Sequence, residues 1–209
     1  MKILFDNMFY EIIRKLLCPF GEIEKFVPDS GKILDVGCGH GTFARILSRG
    51  HYNRKILGID PSGHKIALAK KYSNGFKNVK FEKKYLSQVR GKYDCILFID
   101  VLYLFPDSEK LERLKEANKV LKKGGTLLVK TSSTEPKILF KLLQLEETIM
   151  VKILGYTYSD RKAFYFSTIK KHKNIIQQAG FKLMNFSIFK STFPYRHPTY
   201  VAQKTSQIN

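Results

Sequence analysis

Ile33-Leu34-Asp35-Val36-Gly37-Cys38-Gly39-His40-Gly41 is the stretch on which the reading of this chain turns. An apolar run ends in three glycines at alternate positions, and a helix-compatible stretch, Thr42 to Arg49, follows. That layout predicts a buried strand, a tight turn and the start of a helix. Glycine lets such a turn bring its backbone close to a ligand, and amides at a helix N-terminus are expected to point at it. Ile56-Leu57-Gly58-Ile59-Asp60 reads as a second apolar strand with a carboxylate at its C-terminal end. A carboxylate there can accept hydrogen bonds from two ribose hydroxyls. Together the two segments predict a nucleoside-bearing ligand lying across a parallel sheet.

Outward from this pair the pattern repeats. Strands are expected at Lys32–Val36, Lys55–Ile59, Val79–Phe81, Tyr93–Asp100, Thr126–Lys130, Phe181–Phe189 and Thr199–Gln203. Helices are expected from Thr42, from Ser62 to about Tyr72, from Ser108 to Lys122, and from Ser167 or Thr168 to Gly180. The lysines around Val79–Phe81 suit a sheet edge. The connection between the last two strands is too short for a parallel crossover, so they must be antiparallel. Before the first strand, Phe5 to Phe20 has helical apolar spacing, ended by Cys18-Pro19. Residues 132–166 do not fit the repeat; they read as a helical segment followed by an aromatic-rich stretch, a cap-like insertion. The last residues, Thr205 to Asn209, are expected to be a frayed tail. The expectation is one domain over residues 1–209, an α/β doubly wound, mostly parallel seven-stranded sheet with a terminal antiparallel strand.

The glycine spacing discriminates between ligands. Nicotinamide dinucleotides use G-x-G-x-x-G, but here the third glycine comes one place early and Thr42 stands where Gly or Ala is wanted. G-x-G-x-G preceded by Asp35, with Asp60 after the second strand, resembles motif I and the ribose-binding acid of the class I S-adenosylmethionine-dependent methyltransferases. The resemblance runs from Ile33 to Lys204 and includes the reversed last strand. It implies the Rossmann-like fold of that family and S-adenosyl-L-methionine as cofactor. It places Gly37, Cys38 and Gly39 beneath the methionine and ribose, and Asp60 on the ribose hydroxyls. Pro61 would flank the adenine. Asp35 would act near the amino-acid end, or hold the turn alone. Asp100 would face the methionine moiety or cap the next turn, and Tyr103 would line the acceptor pocket or pack on the following helix. Where many members carry an acid near the adenine amino group, this chain aligns Tyr85; Leu86 would touch the adenine through its backbone.

Composition sets the wider frame. The chain is 44% hydrophobic and 26% charged, ordinary for a globular protein. No apolar run approaches the ~20 residues of a membrane-spanning helix. The start lacks the apolar region of a signal peptide, which predicts a cytoplasmic chain. Cys18, Cys38 and Cys95 are scattered, with no metal-ligand spacing, so neither a disulfide framework nor a metal site is expected. The net charge of +19 draws a protein toward nucleic acid, anionic lipid or acidic substrates. Yet only eight of the basic residues are arginine, the residue that specific nucleic-acid sites favour.

The acceptor is less defined. The turn Ser191–Pro198 should leave the sheet on the cofactor side. Within it His197 is a candidate general base that titrates near neutrality, and Tyr195 and Arg196 could bind an anionic or aromatic acceptor. His172, His40, His51 and His64 read as surface or turn residues, with His40 placed to touch the cofactor simply by position. The aromatics of the insertion, Tyr165 among them, suggest a small hydrophobic, aromatic or lipid-like acceptor. RNA methylation is the alternative, kept by the charge alone, since no Asn/Asp-Pro-Pro-Tyr/Phe signature or Pro-Cys pair is present. A non-catalytic cofactor-binding protein is the remaining class. The assembly is expected to be a monomer or homodimer.

Overall fold

The computed structural model describes residues 14, 16–134, 164–190 and 196–205. A seven-stranded sheet forms the centre, ordered β3-β2-β1-β4-β5-β7-β6. Its strands are β1 (Gly31–Val36), β2 (Arg54–Asp60), β3 (Val79–Lys83), β4 (Tyr93–Ile99), β5 (Leu121–Lys130), β6 (Phe181–Lys190) and β7 (Arg196–Lys204). β1 to β5 pair in parallel, and β7 runs antiparallel between β5 and β6. The helices are α1 (Phe20–Glu24), α2 (Thr42–Ser48), α3 (Gly63–Tyr72), α4 (Asp107–Val120) and α5 (Ile169–Gln178). The expected doubly wound sheet with a reversed last strand is what forms.

Two apolar layers follow from the alternation of side chains along the strands. Leu34, Ile96, Phe98, Leu127 and Val129 point to one face, where Leu114 and Ala117 of α4 and Ile175 and Ile176 of α5 cover them. Ile33, Ile56, Leu97 and Leu128 point to the other, against Ile23 of α1, Phe43 and Leu47 of α2 and Ile66 of α3. Central strands buried on both sides explain why β4 is apolar almost throughout. β3 is an edge strand, as its lysines suggest.

Three details differ from expectation. The helix before β5 stops at Val120, and Gly124-Gly125 lie inside the strand rather than ending a helix. Leu121 is fully buried opposite Tyr93, and the register shifts between Tyr93 and Cys95, so the extra residues bulge. β7 begins at Arg196, so Arg196, His197 and Pro198 are strand residues paired with Lys190, Phe189 and Ile188 of β6, not turn residues. His172 is buried rather than superficial because its face of α5 packs on Tyr200, whereas His40, also buried, is a turn residue as expected. The N-terminal helix predicted for 5–20 is described only at its end, where Arg14, Leu16 and Leu17 are helical before Pro19. Most of the predicted insertion, Tyr195 and the end of the tail lie outside the described residues.

Among the described residues no helix is long and apolar enough to cross a membrane. Nor do they contain a His/Cys/Asp/Glu group that could hold a metal ion. Cys18 and Cys95 are buried free thiols, and burial pushes the thiol of Cys18 up to about 11.

Candidate functional site

The carboxyl ends of β1, β2 and β4 enclose a cleft, as expected where strand order reverses in an open α/β sheet. Seven of the residues singled out from sequence line it together: Asp35, Gly37, Cys38, Gly39, Asp60, Asp100 and Tyr103. Arg14, His40, Thr42 and Lys65 add polar groups to the wall, and Phe20, Phe43, Ile99, Val101 and Leu104 its apolar part.

The glycine turn is held from below and behind. The Ile59 carbonyl at the end of β2 accepts from the amides of Gly37 (2.8 Å) and Cys38 (3.0 Å). The Gly39 amide donates to Asp60 Oδ2 at 3.1 Å. The expected bare amides are therefore engaged inside the protein, because β2 runs one residue beyond the end of β1 and its last groups face the turn. What the turn contributes is close backbone approach, through left-handed Gly37, Gly39 and Gly41. The buried Arg45 of α2 fixes its far side by donating to the His40 carbonyl at 2.6 Å.

Asp60 is almost fully buried, and its second oxygen accepts from the Ser62 amide at 2.8 Å. Each carboxylate oxygen can accept more than one hydrogen bond, so capacity remains toward the cleft. Asp35 is buried beside it. Burial, opposed by Arg14 and reinforced by the neighbouring Asp60, raises its pKa to about 7.

Asp100 differs. It takes a left-handed φ of 56°, uncommon for a residue with a side chain. Lys130 donates to its Oδ1 at 2.6 Å and Arg14 to its Oδ2 at 3.1 Å. Burial alone would raise this acid, but Lys130 and then Arg14 outweigh it and hold it ionised. Asp100 lines the cleft as expected, but its charge is spent on two cations of the protein. Lys130 closes the apolar run of β5, and a cation ending such a strand was a signal in the sequence; Arg14 gave none.

Tyr103 sits in the short 3₁₀ turn Leu102–Leu104 after Asp100. Its ring stacks on Phe166 (centroids 5.3 Å apart) and meets Phe164 edge-on (5.9 Å). Its carbonyl accepts from the Tyr165 amide at 2.7 Å. Lys110 of α4, fully buried, donates to the Tyr165 carbonyl (2.6 Å), Ser167 Oγ (2.7 Å) and Asp107 Oδ1 (2.8 Å). This ion cluster, invisible in the sequence, ties the end of the aromatic stretch to the rim of the cleft. Tyr165 itself is partly exposed beside it.

Other predicted residues are not brought to this cleft. Pro61 is exposed next to Asp60 and is not part of its lining. Tyr85 is largely exposed, its amide donating to Gln88 Oε1 within a 3₁₀ turn, and the Leu86 side chain faces the apolar core. Arg196 is exposed on β7. His197 is buried behind Lys130, and among the described residues neither ring nitrogen has a hydrogen-bond partner. Burial, then Lys130 and Arg14, against Asp100, lower its pKa to about 3. The expected titration near neutrality is therefore overturned by desolvation and two adjacent cations.

The cleft fits a cationic nucleoside. Asp60 and Asp35 face it with carboxylates not consumed by protein cations, and the glycine turn leaves room along one wall. Comparison with known proteins agrees. Residues 28–180 match the model of a methyltransferase domain. The chain is 26% identical over 192 residues to demethylmenaquinone methyltransferase of Staphylococcus saprophyticus, covering 85% of this chain and 81% of that enzyme. It is 24% identical to ubiquinone biosynthesis O-methyltransferase of Acinetobacter baylyi, over 75% of this chain but 65% of that one. In fold it is similar to a SAM-dependent methyltransferase from Methanosarcina mazei, with TM-score 0.69 and 20% identity over 91% of this chain and 99% of that one. It also resembles the magnesium protoporphyrin IX methyltransferase of Synechocystis with bound SAH, with TM-score 0.67 and 19% identity over 88% and 81% of the two chains. The chain belongs to the methyltransferase-domain family, as a class I S-adenosylmethionine-dependent methyltransferase.

Proposed function

We propose that this methyltransferase acts on a small, hydrophobic aromatic acceptor, entering over the Tyr103–Phe164–Phe166 rings. The observation that carries this reading is that ring cluster, clamped at the cleft rim beside Asp100 by Lys110. Stacked rings at a cleft mouth favour a flat apolar body over a charged polymer. The names of the relatives, which refer to a menaquinone precursor and to ubiquinone biosynthesis, support the same class.

The cofactor, when bound, supplies a methyl group on a cationic sulfur. In this reading Asp60 accepts the ribose hydroxyls, while the Gly39 and Ser62 amides keep its carboxylate in place. Asp35 meets the cationic amino-acid end, and Arg14 and Lys65 are the cations lining the cleft for a carboxylate. Methyl transfer needs alignment and exclusion of water more than acid–base help. Lys130 and Arg14 hold Asp100, and with it the turn carrying Tyr103. A base as weak as the buried His197 gives little help at neutral pH, so the reading assigns it no proton step.

The test is transfer of labelled methyl from S-adenosylmethionine to three acceptors in parallel: a hydroxylated naphthoquinol with a short alkyl chain, a porphyrin carboxylate and total RNA. Label entering the quinol, and weakened for that acceptor alone by Tyr103→Ala, supports the reading. Label entering only RNA would sink it.

A further inference from the structure

We propose a second ligand site, a basic groove at the opposite end of the sheet that binds single-stranded RNA. Its origin is a missing layer. The chain returns from β3 to β4 through residues 84–92, whose only helical feature is the 3₁₀ turn Leu86–Gln88. β3 and β4 lie three places apart in the sheet. Crossing that width, about 14 Å, while running back along a strand, about 20 Å, takes roughly 25 Å. The connection reaches about 30 Å nearly extended. Coiled as a helix it would advance only about 14 Å. It is therefore a taut strap. Leu86 and Val89 anchor it to the core, and among the described residues no helix covers the corner of the sheet built by the starts of β1, β2 and β3. The same face is covered farther along by α4 and α5.

A doubly wound sheet ordinarily buries both faces. Here the uncovered corner carries lysine instead of apolar residues. Lys32 pairs with Lys55, and Leu57 with Lys80, across β1, β2 and β3. With Arg49 and Lys77 from the loops below, they line a groove of about 1040 Å³. Its one carboxylate, Glu82, is already engaged by Lys84. Among the described residues none of the five cations forms a salt bridge; Asp94, which bonds the Lys32 amide and feels the Lys32 charge, is itself paired with Lys122. Tyr52 stands in the groove wall, 84% exposed. Leu57 and Phe76 add half-buried apolar surface to the lining, and the Arg49 guanidinium lies 5.8 Å from the Phe76 ring centroid.

Cations lining a concave track, with an exposed aromatic ring beside it, match the needs of a single strand: phosphates for the lysines and a base for the ring. A bilayer matches less well. It is flat where this surface is concave, and docking here would turn the cofactor cleft, at the other end of the strands, away from the lipid. A second copy of this chain, also at +19, would meet repulsion. The site is separate from the cleft and independent of which acceptor is methylated.

A protein this basic binds RNA weakly anywhere, so the test compares equal charge changes. Anisotropy of a fluorescent oligouridylate is measured for wild type, for Lys55→Glu with Lys80→Glu, and for Lys115→Glu with Lys119→Glu on the exposed face of α4. Cofactor binding is measured alongside as the check on folding. The groove pair should weaken RNA binding about tenfold or more and flatten its salt dependence, the α4 pair no more than about twofold. Tyr52→Ala should weaken it several-fold at unchanged charge. Equal losses for the two pairs would reduce the effect to net charge and overturn the site. So would groove-dependent binding to phosphatidylglycerol vesicles or polyglutamate without binding to RNA.

Discussion

The two walls of the cleft are made differently. On the β1–β2 side, the ends of two adjacent parallel strands do the work: the glycine turn after β1 bonds to the Ile59 carbonyl and to Asp60 at the end of β2. On the β4–β5 side, the parts come from far apart. Arg14, Asp100 and Lys130 converge from three segments, and Lys110, Asp107 and Ser167 from two more. The first wall is a backbone device and the second a set of buried charges. Changes on the first should be felt mainly in cofactor affinity, and changes on the second mainly in stability.

The sharpest break of that comparison is Lys130→Met. Lys130 and Asp100 are both almost fully buried, and removing the cation leaves Asp100, among the described residues, the partly exposed Arg14 as its cation. The expected cost is about 3 kcal/mol of folding stability at pH 7, read by denaturant unfolding. The sign with pH follows from the depressed pKa of Asp100. Its ion pairs stabilise above the unfolded carboxylate range and are lost as acid protonates it, so the gap between variant and wild type should narrow below about pH 4. A gap that stays constant into acid would mean that packing of the Lys130 stem, not charge, is what the wall uses.

On the other wall Asp60→Ala should reduce S-adenosylmethionine affinity by roughly 30- to 150-fold, the loss of about 2–3 kcal/mol of hydrogen bonds to a charged group. Calorimetry checks it. Stability should fall by less, since only the Gly39 and Ser62 amides lose their acceptor and the cleft admits water to them. Unchanged affinity would remove Asp60 from the ribose.

Two glycines of the same turn sharpen the division further. Both have a left-handed φ, 76° at Gly41 and 55° at Gly39, so alanine at either costs about 1–2 kcal/mol in backbone strain. A Cβ at Gly41 would lie 2.5 Å from the Phe81 ring, whereas one at Gly39 meets none of the described residues within 4 Å. Gly41→Ala should therefore be the less stable of the pair. Gly39→Ala should retain more stability yet bind cofactor worse, because its methyl enters the cleft. Melting temperature and cofactor affinity, measured on both, should rank them in opposite orders.

The same contrast explains what could be read from the amino-acid order. Asp35, the three glycines and Asp60 lie within two strand ends, where local periodicity and turn chemistry decide the geometry. They were legible, as was the strand pattern that makes the sheet. That the turn amides are already satisfied was not, because it depends on how far β2 extends past β1. Lys110, Arg14 and Arg54 were missed for a related reason. Each is a cation on an ordinary polar position whose partners are distant; Arg54 is fully buried, bonding the Pro28 and Leu47 carbonyls and Glu24. His197 shows the converse. Its type suggested a base, but strand pairing and burial beside Lys130 change its chemistry, and no short-range pattern carries that information.

Asp35 joins the two walls and gives the smallest of the expected effects. It stands on the backbone-built side, yet its pKa of about 7 is set by burial, by Asp60 and by Arg14 from across the cleft. Because this pKa is raised above the unfolded value, the folded protein holds the proton more tightly. Asp35 therefore costs stability progressively as pH rises from about 4 to 7. Asp35→Asn should match wild type in stability at pH 4 and exceed it at pH 8. Binding runs the other way. A cationic cofactor favours the ionised acid, so affinity should rise about tenfold between pH 6 and pH 8 as the carboxylate becomes available. Below pH 7 binding should release a proton, seen as a dependence of the calorimetric heat on the buffer's ionisation enthalpy. In Asp35→Asn that dependence and the rise with pH should both vanish, with affinity below wild type at pH 8. If the wild-type profile is flat from pH 6 to 8, Asp35 is ionised before the cofactor arrives, and Arg14 holds it more firmly than burial opposes it.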